Sequence, residues 1–130
     1  KAAGARRALP LPVSVPSHCA LMRPAAERLA AELDRIPVAA PQIPLLHNVS
    51  VGTAAGPEDI RDLLVRQLYS PVRWVEIVQR LADEGTTTLI EAGPGKVLAG
   101  LAKRIDNRLH ALAVFDPKGL AAALEVTQNA

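Results

Sequence analysis

Apolar and other residues alternate near the beginning of the chain. In the segment ALPLPVSV, residues 8–15, an apolar side chain occupies every second position from Leu9 to Val15. This is the period of a strand with one buried face. Pro10 and Pro12 remove two backbone donors from the same side of the strand, which is typical of an edge strand. We therefore predict an edge strand over residues 8–15.

The spacing of apolar residues beyond this strand predicts helices that alternate with strands. The predicted helices cover residues 24–36, 57–70, 71–84, 97–105 and 118–126, and the predicted strands cover 86–92 and 110–115, with a frayed tail after residue 126. Proline at a first helical position and glycine after a last one, as at Pro57 and Gly85, support these boundaries. This alternation predicts an α/β fold with a largely parallel sheet.

Apolar stripes predict which helix faces turn inward. The third helix has Val75, Val78 and Leu81 on its predicted inner face, and the fourth has Val97, Leu98, Leu101, Ala102 and Ile105.

Composition limits the classes of function. The chain has 130 residues, of which 49% are hydrophobic, so we expect one globular domain or part of one. Aromatic residues make up 2%, which leaves few platforms for stacking nucleic-acid bases. The formal net charge is +2, and a single cysteine excludes an internal disulfide framework. No apolar run is long enough for a membrane span, and the opening segment KAAGARR lacks the apolar region that a secretory signal would require. We expect a cytoplasmic protein that binds neither nucleic acid nor membrane, and a chain that starts inside a longer one.

His18 is the strongest candidate for catalysis. It follows a predicted strand and precedes a predicted helix, and such junctions are where sites form in α/β proteins. His47 and His110 are expected to be structural or surface residues. Cys19 is adjacent to His18 in sequence and cannot readily share a proton with it, so a small packed thiol is the favoured interpretation. Neither Ser17 nor the remaining serines lie in a G-x-S-x-G elbow, so the chain contains a base without its nucleophile.

Gln67 is expected to have an unused backbone carbonyl. In a helix this carbonyl would accept a hydrogen bond from the N–H of residue 71, which is a proline and has none. A buried free carbonyl needs a donor, and the Nδ1–H of an imidazole would supply it while leaving Nε2 free. The sequence alone does not identify that donor as His18, and a water or a side-chain cap is the ordinary alternative.

Two other kinds of site are not favoured. The turn formed by Gly93, Pro94, Gly95 and Lys96 lacks the full spacing of a phosphate-binding loop, so we predict a structural tight turn. No pairing of Cys, His or carboxylate residues has metal-ligand spacing, so we predict no metal site.

Three segments together resemble the malonyl-CoA:acyl carrier protein transacylases of fatty acid biosynthesis. They are VPSHCALM (15–22), VRQLYSPVRW (65–74) and EAGPGKVLAGLAKRI (91–105), in the same order and spacing. The resemblance covers nearly all of this chain and less than half of the family's usual length, which identifies the C-terminal portion.

The resemblance implies a transferase of lipid metabolism that moves a malonyl group from malonyl-CoA to the phosphopantetheine thiol of acyl carrier protein. The implied mechanism is ping-pong. His18 would be the general base of a Ser–His pair, and the backbone carbonyl of Gln67 would orient it. The family's serine, oxyanion-hole glutamine and malonate-binding arginine lie upstream, so this segment alone is expected to be inactive. No cofactor is implied.

The family's architecture implies two subdomains. Residues 1–14 would end a small ferredoxin-like subdomain with its last strand, and residues 15–130 would form the C-terminal part of a large α/β-hydrolase-like subdomain.

Acyl carrier proteins are acidic, so basic residues are candidates for docking them. These are Arg6, Arg7, Lys103 and Arg104, and ordinary solvated charges are the alternative.

Two other functions stay open at this point. One is an acyltransferase domain of a polyketide or modular fatty acid synthase, although Val15, Pro16 and Ser17 look like the stand-alone malonyl type. The other is a non-catalytic module that binds an acidic protein through the same four basic residues. A serine elbow upstream would distinguish the enzymes from the module.

Overall fold

The computed structural model describes residues 2–10 and 13–128, which divide into two compact units. The first unit consists of the described residues up to Ala40 together with Ala55–Pro71, and the second consists of Pro41–Ala54 and the described residues from Val72 onward. The described residues form five α-helices and one two-stranded parallel sheet. This is the small α/β architecture that the sequence predicts. No helix in the described ranges is both long and apolar enough to cross a membrane.

The first unit is a pair of packed helices, α1 (Arg23–Leu33) and α2 (Pro57–Arg66), with a 3₁₀ turn at Ala20–Met22 before α1. Pro57 lies at the beginning of α2, where no N–H is needed, and two acidic residues follow it in the first turn, where the helix dipole favours negative charge. The helices bury Ala26 from α1 and Ile60 and Leu63 from α2.

Arg61 connects the end of α1 to α2. Its guanidinium donates to the Leu33 carbonyl at 3.1 Å and to the Ile36 carbonyl at 2.9 Å, and it also pairs with Glu58. The last carbonyls of a helix lack intrahelical partners, and a cation is favoured beside them. Arg61 therefore caps α1 and fixes the segment that leaves it.

The second unit contains the other five elements. They are α3 (Trp74–Asp83), β1 (Thr88–Ala92), α4 (Val97–Ile105), β2 (His110–Val114) and α5 (Pro117–Gln128). The strands β1 and β2 pair in parallel, with Thr88 opposite His110 and Ala92 opposite Val114. A parallel pair needs a crossover connection, and α4 provides it.

The core of this unit is built from small residues. Its buried cluster consists of Val78, Ala82, Ala99, Ala102, Leu109 and Ala111, with Trp74, Leu89, Ile105 and Ala113 packed around it. Val78 is completely buried, and burying a valine side chain contributes about 1.5 kcal/mol. The many alanines allow α3 and α4 to approach each other and allow α4 to approach the sheet.

The predicted edge strand over residues 8–15 is not formed by the described residues 8–10 and 13–15, and positions 11 and 12 lie outside the described residues. Leu9, Val13 and Val15 are all more than half exposed. A strand requires a partner for its backbone groups, and no described strand pairs with this segment.

Several helix boundaries and faces also differ from the prediction. Helix α1 ends at Leu33, three residues early. Helix α2 ends at Arg66, and α3 begins at Trp74 instead of Pro71. The Arg73 N–H bonds the Asn48 carbonyl at 3.1 Å, with backbone angles outside the helical region. The segment before Trp74 is thus held out of the helix.

The inner face of α3 consists of Ile77, Val78 and Ala82, while Val75 is 51% exposed. In α4, Val97, Leu98 and Leu101 are exposed, and Ala99 and Ala102 are buried. The predicted frayed tail is also wrong in part, because α5 continues to Gln128. The predicted inward positions of Val78, Ala102 and Ile105 are confirmed, whereas those of Val75, Val97, Leu98 and Leu101 are wrong for the described chain.

Candidate functional site

His18 lies in a tight turn immediately before the 3₁₀ turn that leads into α1. The Ser17 N–H bonds the Val15 carbonyl at 2.9 Å, and the Cys19 thiol donates to the Pro16 carbonyl at 3.2 Å. Within this turn His18 has φ +60°, a left-handed conformation that histidine adopts more often than most residues. The turn presents an exposed His18 next to the end of α2.

Two hydrogen bonds attach His18 to consecutive carbonyls at the end of α2. Its backbone N–H donates to the Leu68 carbonyl at 3.0 Å, and its ring Nδ1 lies 2.8 Å from the Gln67 carbonyl oxygen. A carbonyl oxygen can only accept, so Nδ1 carries the hydrogen in this contact. The Nε2 lone pair of the neutral ring is then free.

The sequence of α2 explains why these carbonyls are available. The helix ends at Arg66, and Gln67 is its C-cap. Residue 71 is Pro71 and cannot donate to the Gln67 carbonyl, which is the reason the sequence predicted a free acceptor there. The contact between His18 and Gln67 that the sequence left open is therefore present. The Leu68 contact was not predicted, and the same proline, which disfavours a continuing helix, is the signal that could have indicated it.

His18 borders a groove within the first unit. The groove is lined by Ser17, His18, Met22, Gln67 and Leu68. An imidazole that donates through Nδ1 to a fixed carbonyl can accept a proton at Nε2 from a hydroxyl or thiol placed beside it. This arrangement can therefore act as a general base.

Arg23 and Tyr69 lie next to this groove in sequence, and the sequence did not single them out. The Arg23 guanidinium carbon is 4.3 Å from the centroid of the Tyr69 ring, within the range of a cation–π contact. Tyr69 follows Gln67 and Leu68, and Arg23 follows Met22. No short-range sequence motif pairs residues 46 positions apart, so this contact could be found only in the fold.

The other histidines have no comparable geometry. His47 is 5% exposed and sits in a hairpin whose backbone pairs with Gly52, and His110 is exposed at the beginning of β2. Cys19 is half-buried, and its thiol donates to a carbonyl instead of contacting another side chain. No described side chain near His18 forms a nucleophile–base hydrogen bond with it.

The turn at Gly93–Lys96 leads into α4, whose first turn already has an acidic partner. The Glu91 carboxylate accepts from the Ala99 N–H at 2.8 Å, in the first turn of α4. A phosphate bound to this helix N-terminus would meet that carboxylate, and its negative charge would repel the ligand. In residues 2–10 and 13–128 no group of three or more His, Cys, Asp or Glu side chains is arranged to hold a metal ion.

The four basic candidates divide between the units. Arg6 and Arg7 are exposed residues of the first unit, and Lys103 and Arg104 are exposed in the last turn of α4 in the second. No ion pair joins any of the four to a described acidic residue.

Arg108, close to Lys103 and Arg104 in sequence, is paired. It contacts Asp83 at 2.7 Å and Asp106 at 2.7 Å. Hydrogen bonds from Arg108 lower the pKa of Asp106 below its ordinary value, so Asp106 stays ionised at neutral pH. Arg108 therefore carries no spare positive charge.

The chain is similar in sequence to malonyl CoA-acyl carrier protein transacylases. It is 57% identical over 126 residues to the enzyme of that name from Escherichia coli strain K12, a match that covers 97% of this chain and 41% of the relative. It thus corresponds to the C-terminal portion and spans about two fifths of the relative's length. No protein-family model matches the chain.

Solved structures agree with this similarity. A malonyl-transacylase in complex with its type II PKS acyl-carrier protein matches with a TM-score of 0.88 and 56% identity, over 95% of this chain and 40% of that one. A malonyl-CoA:acyl carrier protein transacylase from Xanthomonas oryzae matches with a TM-score of 0.90 and 47% identity, over 96% of this chain and 40% of that one. The resemblance inferred from the three sequence segments is confirmed.

Proposed function

We propose that this chain belongs to the malonyl-CoA:acyl carrier protein transacylases and supplies their general base, His18. The observation that carries this proposal is the 2.8 Å contact between His18 Nδ1 and the Gln67 carbonyl oxygen. It fixes the tautomer in which Nε2 can accept a proton. The similarity to named transacylases over nearly the whole chain supports the choice of reaction.

The first half of the proposed reaction makes a covalent malonyl-enzyme. Nε2 of His18 takes the proton of a serine hydroxyl supplied by a part of the protein outside this chain. The serine oxygen then attacks the thioester carbonyl of malonyl-CoA, backbone N–H groups hold the oxyanion, and the carbon–sulfur bond breaks. His18 returns its proton to the departing CoA thiolate, which leaves as the thiol.

The second half transfers the malonyl group. Nε2 of His18 takes the proton of the phosphopantetheine thiol of acyl carrier protein, and the sulfur attacks the malonyl-serine ester. The serine oxygen leaves and regains a proton from His18. The protonated ring carries a positive charge in both halves, and the Gln67 carbonyl dipole stabilises it through the same Nδ1–H contact. No step requires a cofactor.

The proposal also assigns the chain to two subdomains of the transacylase fold. We assign residues 15–130 to the C-terminal part of an α/β-hydrolase-like large subdomain and residues 1–14 to the end of a ferredoxin-like small subdomain. The parallel β1–β2 pair with its α4 crossover supports the first assignment. We also infer a cytoplasmic enzyme of fatty acid synthesis, and the free thiol of Cys19 fits a reducing compartment.

Arg6, Arg7, Lys103 and Arg104 are proposed to dock acyl carrier protein. Their exposure and lack of acidic partners in the described chain leave their charges available to an acidic surface. The relatives' names favour the stand-alone transacylase over a domain of a modular synthase and over a non-catalytic module.

The covalent step provides the test. The full-length protein that contains these residues should gain the mass of one malonyl group after brief incubation with malonyl-CoA, measured by intact mass spectrometry. The His18→Ala variant should form this adduct about 100-fold to 10,000-fold more slowly, the usual range for loss of a general base.

The matched control is His110→Ala, which removes an exposed histidine of the second unit and should leave the rate unchanged. An adduct that forms equally fast in the His18→Ala variant would contradict the assigned base. The absence of any adduct in the unaltered full-length protein would contradict the proposed reaction.

A further inference from the structure

We infer that Arg23 and Tyr69 form a clamp that positions His18 for proton transfer, an inference that rests on the proposed function of His18. Arg23 would act as a positioning residue. It would hold in place the segment of backbone whose carbonyls orient the imidazole. The inference comes from two sets of contacts in the first unit, those of His18 with Gln67 and Leu68 and that of Arg23 with Tyr69.

The contacts form a ring through the site. His18 is hydrogen bonded to Gln67 and Leu68, and Tyr69 is the next residue. On the other side, the chain runs from His18 through the 3₁₀ turn to Arg23, the first residue of α1. The guanidinium of Arg23 then reaches back to the Tyr69 ring at 4.3 Å. The cation–π contact therefore closes a loop of which His18 is a member.

The charge of Arg23 is unfavourable for its own helix. A cation at the first position of a helix opposes the helix dipole. The ring of Tyr69, three residues beyond the last residue of α2, offers this cation a favourable aromatic face. Arg23 makes no hydrogen bond or ion pair with another described side chain. The contact with the Tyr69 ring is therefore the interaction that accounts for its placement.

Apart from its hydrogen bonds to His18, the segment that follows α2 is held by hydrogen bonds of poor geometry. After α2 ends, the Leu68 N–H bonds the Val65 carbonyl at 3.2 Å and the Tyr69 N–H bonds the Arg66 carbonyl at 3.3 Å. These i to i−3 bonds are the poorer geometry of a 3₁₀ turn. If the turn unwinds, the Gln67 carbonyl changes direction and the imidazole loses its alignment. The clamp therefore protects the geometry on which Nε2 depends.

A double-mutant cycle tests the clamp in the full-length protein. The variants are Arg23→Ala, Tyr69→Leu and their combination, and the readouts are the single-turnover rate of malonyl-enzyme formation and the KM for malonyl-CoA. Each single variant should slow acylation about fivefold, the rate equivalent of one exposed cation–π contact, with KM unchanged. The double variant should be no slower than either single one, because both remove the same contact.

Two conservative variants and a control test whether the loss of rate comes from the cation–π contact itself. Tyr69→Phe keeps the aromatic face and should retain the normal rate, and Arg23→Lys keeps the cation and should recover most of the loss. Arg28→Ala removes another exposed arginine of α1 and should have no effect. These variants also keep the test decisive if Tyr69→Leu fails to fold.

The ring nitrogens of His18 give a readout separate from turnover. In ¹⁵N-labelled full-length protein, the Nδ1–H tautomer should predominate and give way to a tautomer mixture in Arg23→Ala, with the unfolding temperature unchanged. If the unaltered protein forms no malonyl adduct, the proposed reaction fails, whereas this spectrum still tests the clamp.

Three outcomes would overturn the clamp. They are a normal acylation rate in Arg23→Ala, additive losses in the double variant, and a raised KM with an unchanged maximal rate. The last would mean that Arg23 binds an anionic group of the substrate.

Discussion

Position 18 combines an unusual backbone conformation with two hydrogen bonds to one helix end. A left-handed conformation costs a non-glycine residue about 1–2 kcal/mol. Each intramolecular hydrogen bond returns about 1 kcal/mol, so the bonds to Gln67 and Leu68 offset a cost of that size. The conformation is therefore maintained by the same contacts that fix the imidazole. In the proposed mechanism, backbone carbonyls orient the base directly, and the Arg23–Tyr69 contact acts on the segment that carries those carbonyls.

Pro71 is the residue whose replacement tests the free carbonyl most directly. In Pro71→Ala, residue 71 gains an N–H that can bond the Gln67 carbonyl and extend α2 by one turn. This N–H competes with His18 Nδ1 for the same acceptor. We expect malonyl-enzyme formation in the full-length protein to slow about tenfold, which corresponds to loss of about one hydrogen bond.

Single-turnover mass spectrometry would measure this change. The matched control is Pro57→Ala, which removes the proline at the beginning of the same helix and leaves the Gln67 carbonyl untouched. An unchanged rate in Pro71→Ala would show that the missing N–H is not what keeps the acceptor available.

At the scale of elements, the end of α3 is the best-defined stop signal in the chain. Gly85 has φ +91°, its N–H bonds the Ala82 carbonyl at 3.1 Å, and the Thr86 N–H bonds the Leu81 carbonyl at 3.0 Å. This pair of bonds is the Schellman motif. It turns the chain out of α3 and toward β1, as the sequence predicted from the glycine.

Gly85→Ala should destabilise the protein by about 1 kcal/mol, because alanine tolerates this left-handed conformation poorly. Apart from the two adjacent residues, no atom in the described part of the chain lies within 4 Å of the added methyl, so the loss comes from the backbone conformation. Urea unfolding of the protein would measure it.

Gly100→Ala is the matched control, and its expected effect on the free energy of unfolding is opposite to that of Gly85→Ala. Gly100 lies inside α4 with open space around it, and alanine there should stabilise the helix by up to about 1 kcal/mol. Equal effects at both positions would contradict the assignment of a conformational role to Gly85.

The order of elements could be predicted from the sequence because periodicity and local stop signals are short-range. The helix α4 was predicted with both boundaries correct, and β1 and β2 within two residues. Boundaries failed where a distant group decided them. The Arg73 N–H bonds the Asn48 carbonyl, and no pattern near Pro71 indicates that competitor. The predicted strand at residues 8–15 failed for a related reason, since it needs a partner strand.

At the scale of the whole molecule, the exposed apolar residues of the predicted stripes reflect which neighbours are available to pack against. The large apolar side chains Val97, Leu98 and Leu101 of α4 are exposed, while alanines form its packed face. The chain spans about two fifths of the relatives' length. In proteins of that length, further polypeptide is available to cover such a face. The periodic spacing of apolar residues indicates that a helix face is apolar, but it does not identify the neighbouring element that buries this face.

In the candidate site, the individual residues could be predicted from local sequence, but the contacts between distant residues could not. The sequence indicated His18 from its position and the Gln67 carbonyl from the chemistry of Pro71. Residue chemistry alone could not join them, because they are 49 residues apart and only the pairing of α1 with α2 brings them together. The resemblance to the transacylases did imply the pair. Arg23 and Tyr69 were missed for the same reason.

The distribution of charge gives the last test of the proposed function. Arg108 is neutralised by Asp83 and Asp106, so Lys103 and Arg104 carry the available positive charge at the end of α4. Charges at the rim of an interface act mainly on the rate of association. Their effect should therefore appear when the acceptor is acidic acyl carrier protein and disappear with a small thiol.

Reversing one charge in each unit tests this prediction. Arg7→Glu and Arg104→Glu should each slow malonyl transfer to acyl carrier protein about fivefold or more at low ionic strength, with a smaller loss at high salt. Formation of the malonyl-enzyme and transfer to free pantetheine should be unchanged, because neither involves the carrier protein. Lys118→Glu, an equal charge change on exposed α5, is the matched control. Equal transfer rates in all three variants would leave these residues as ordinary solvated charges.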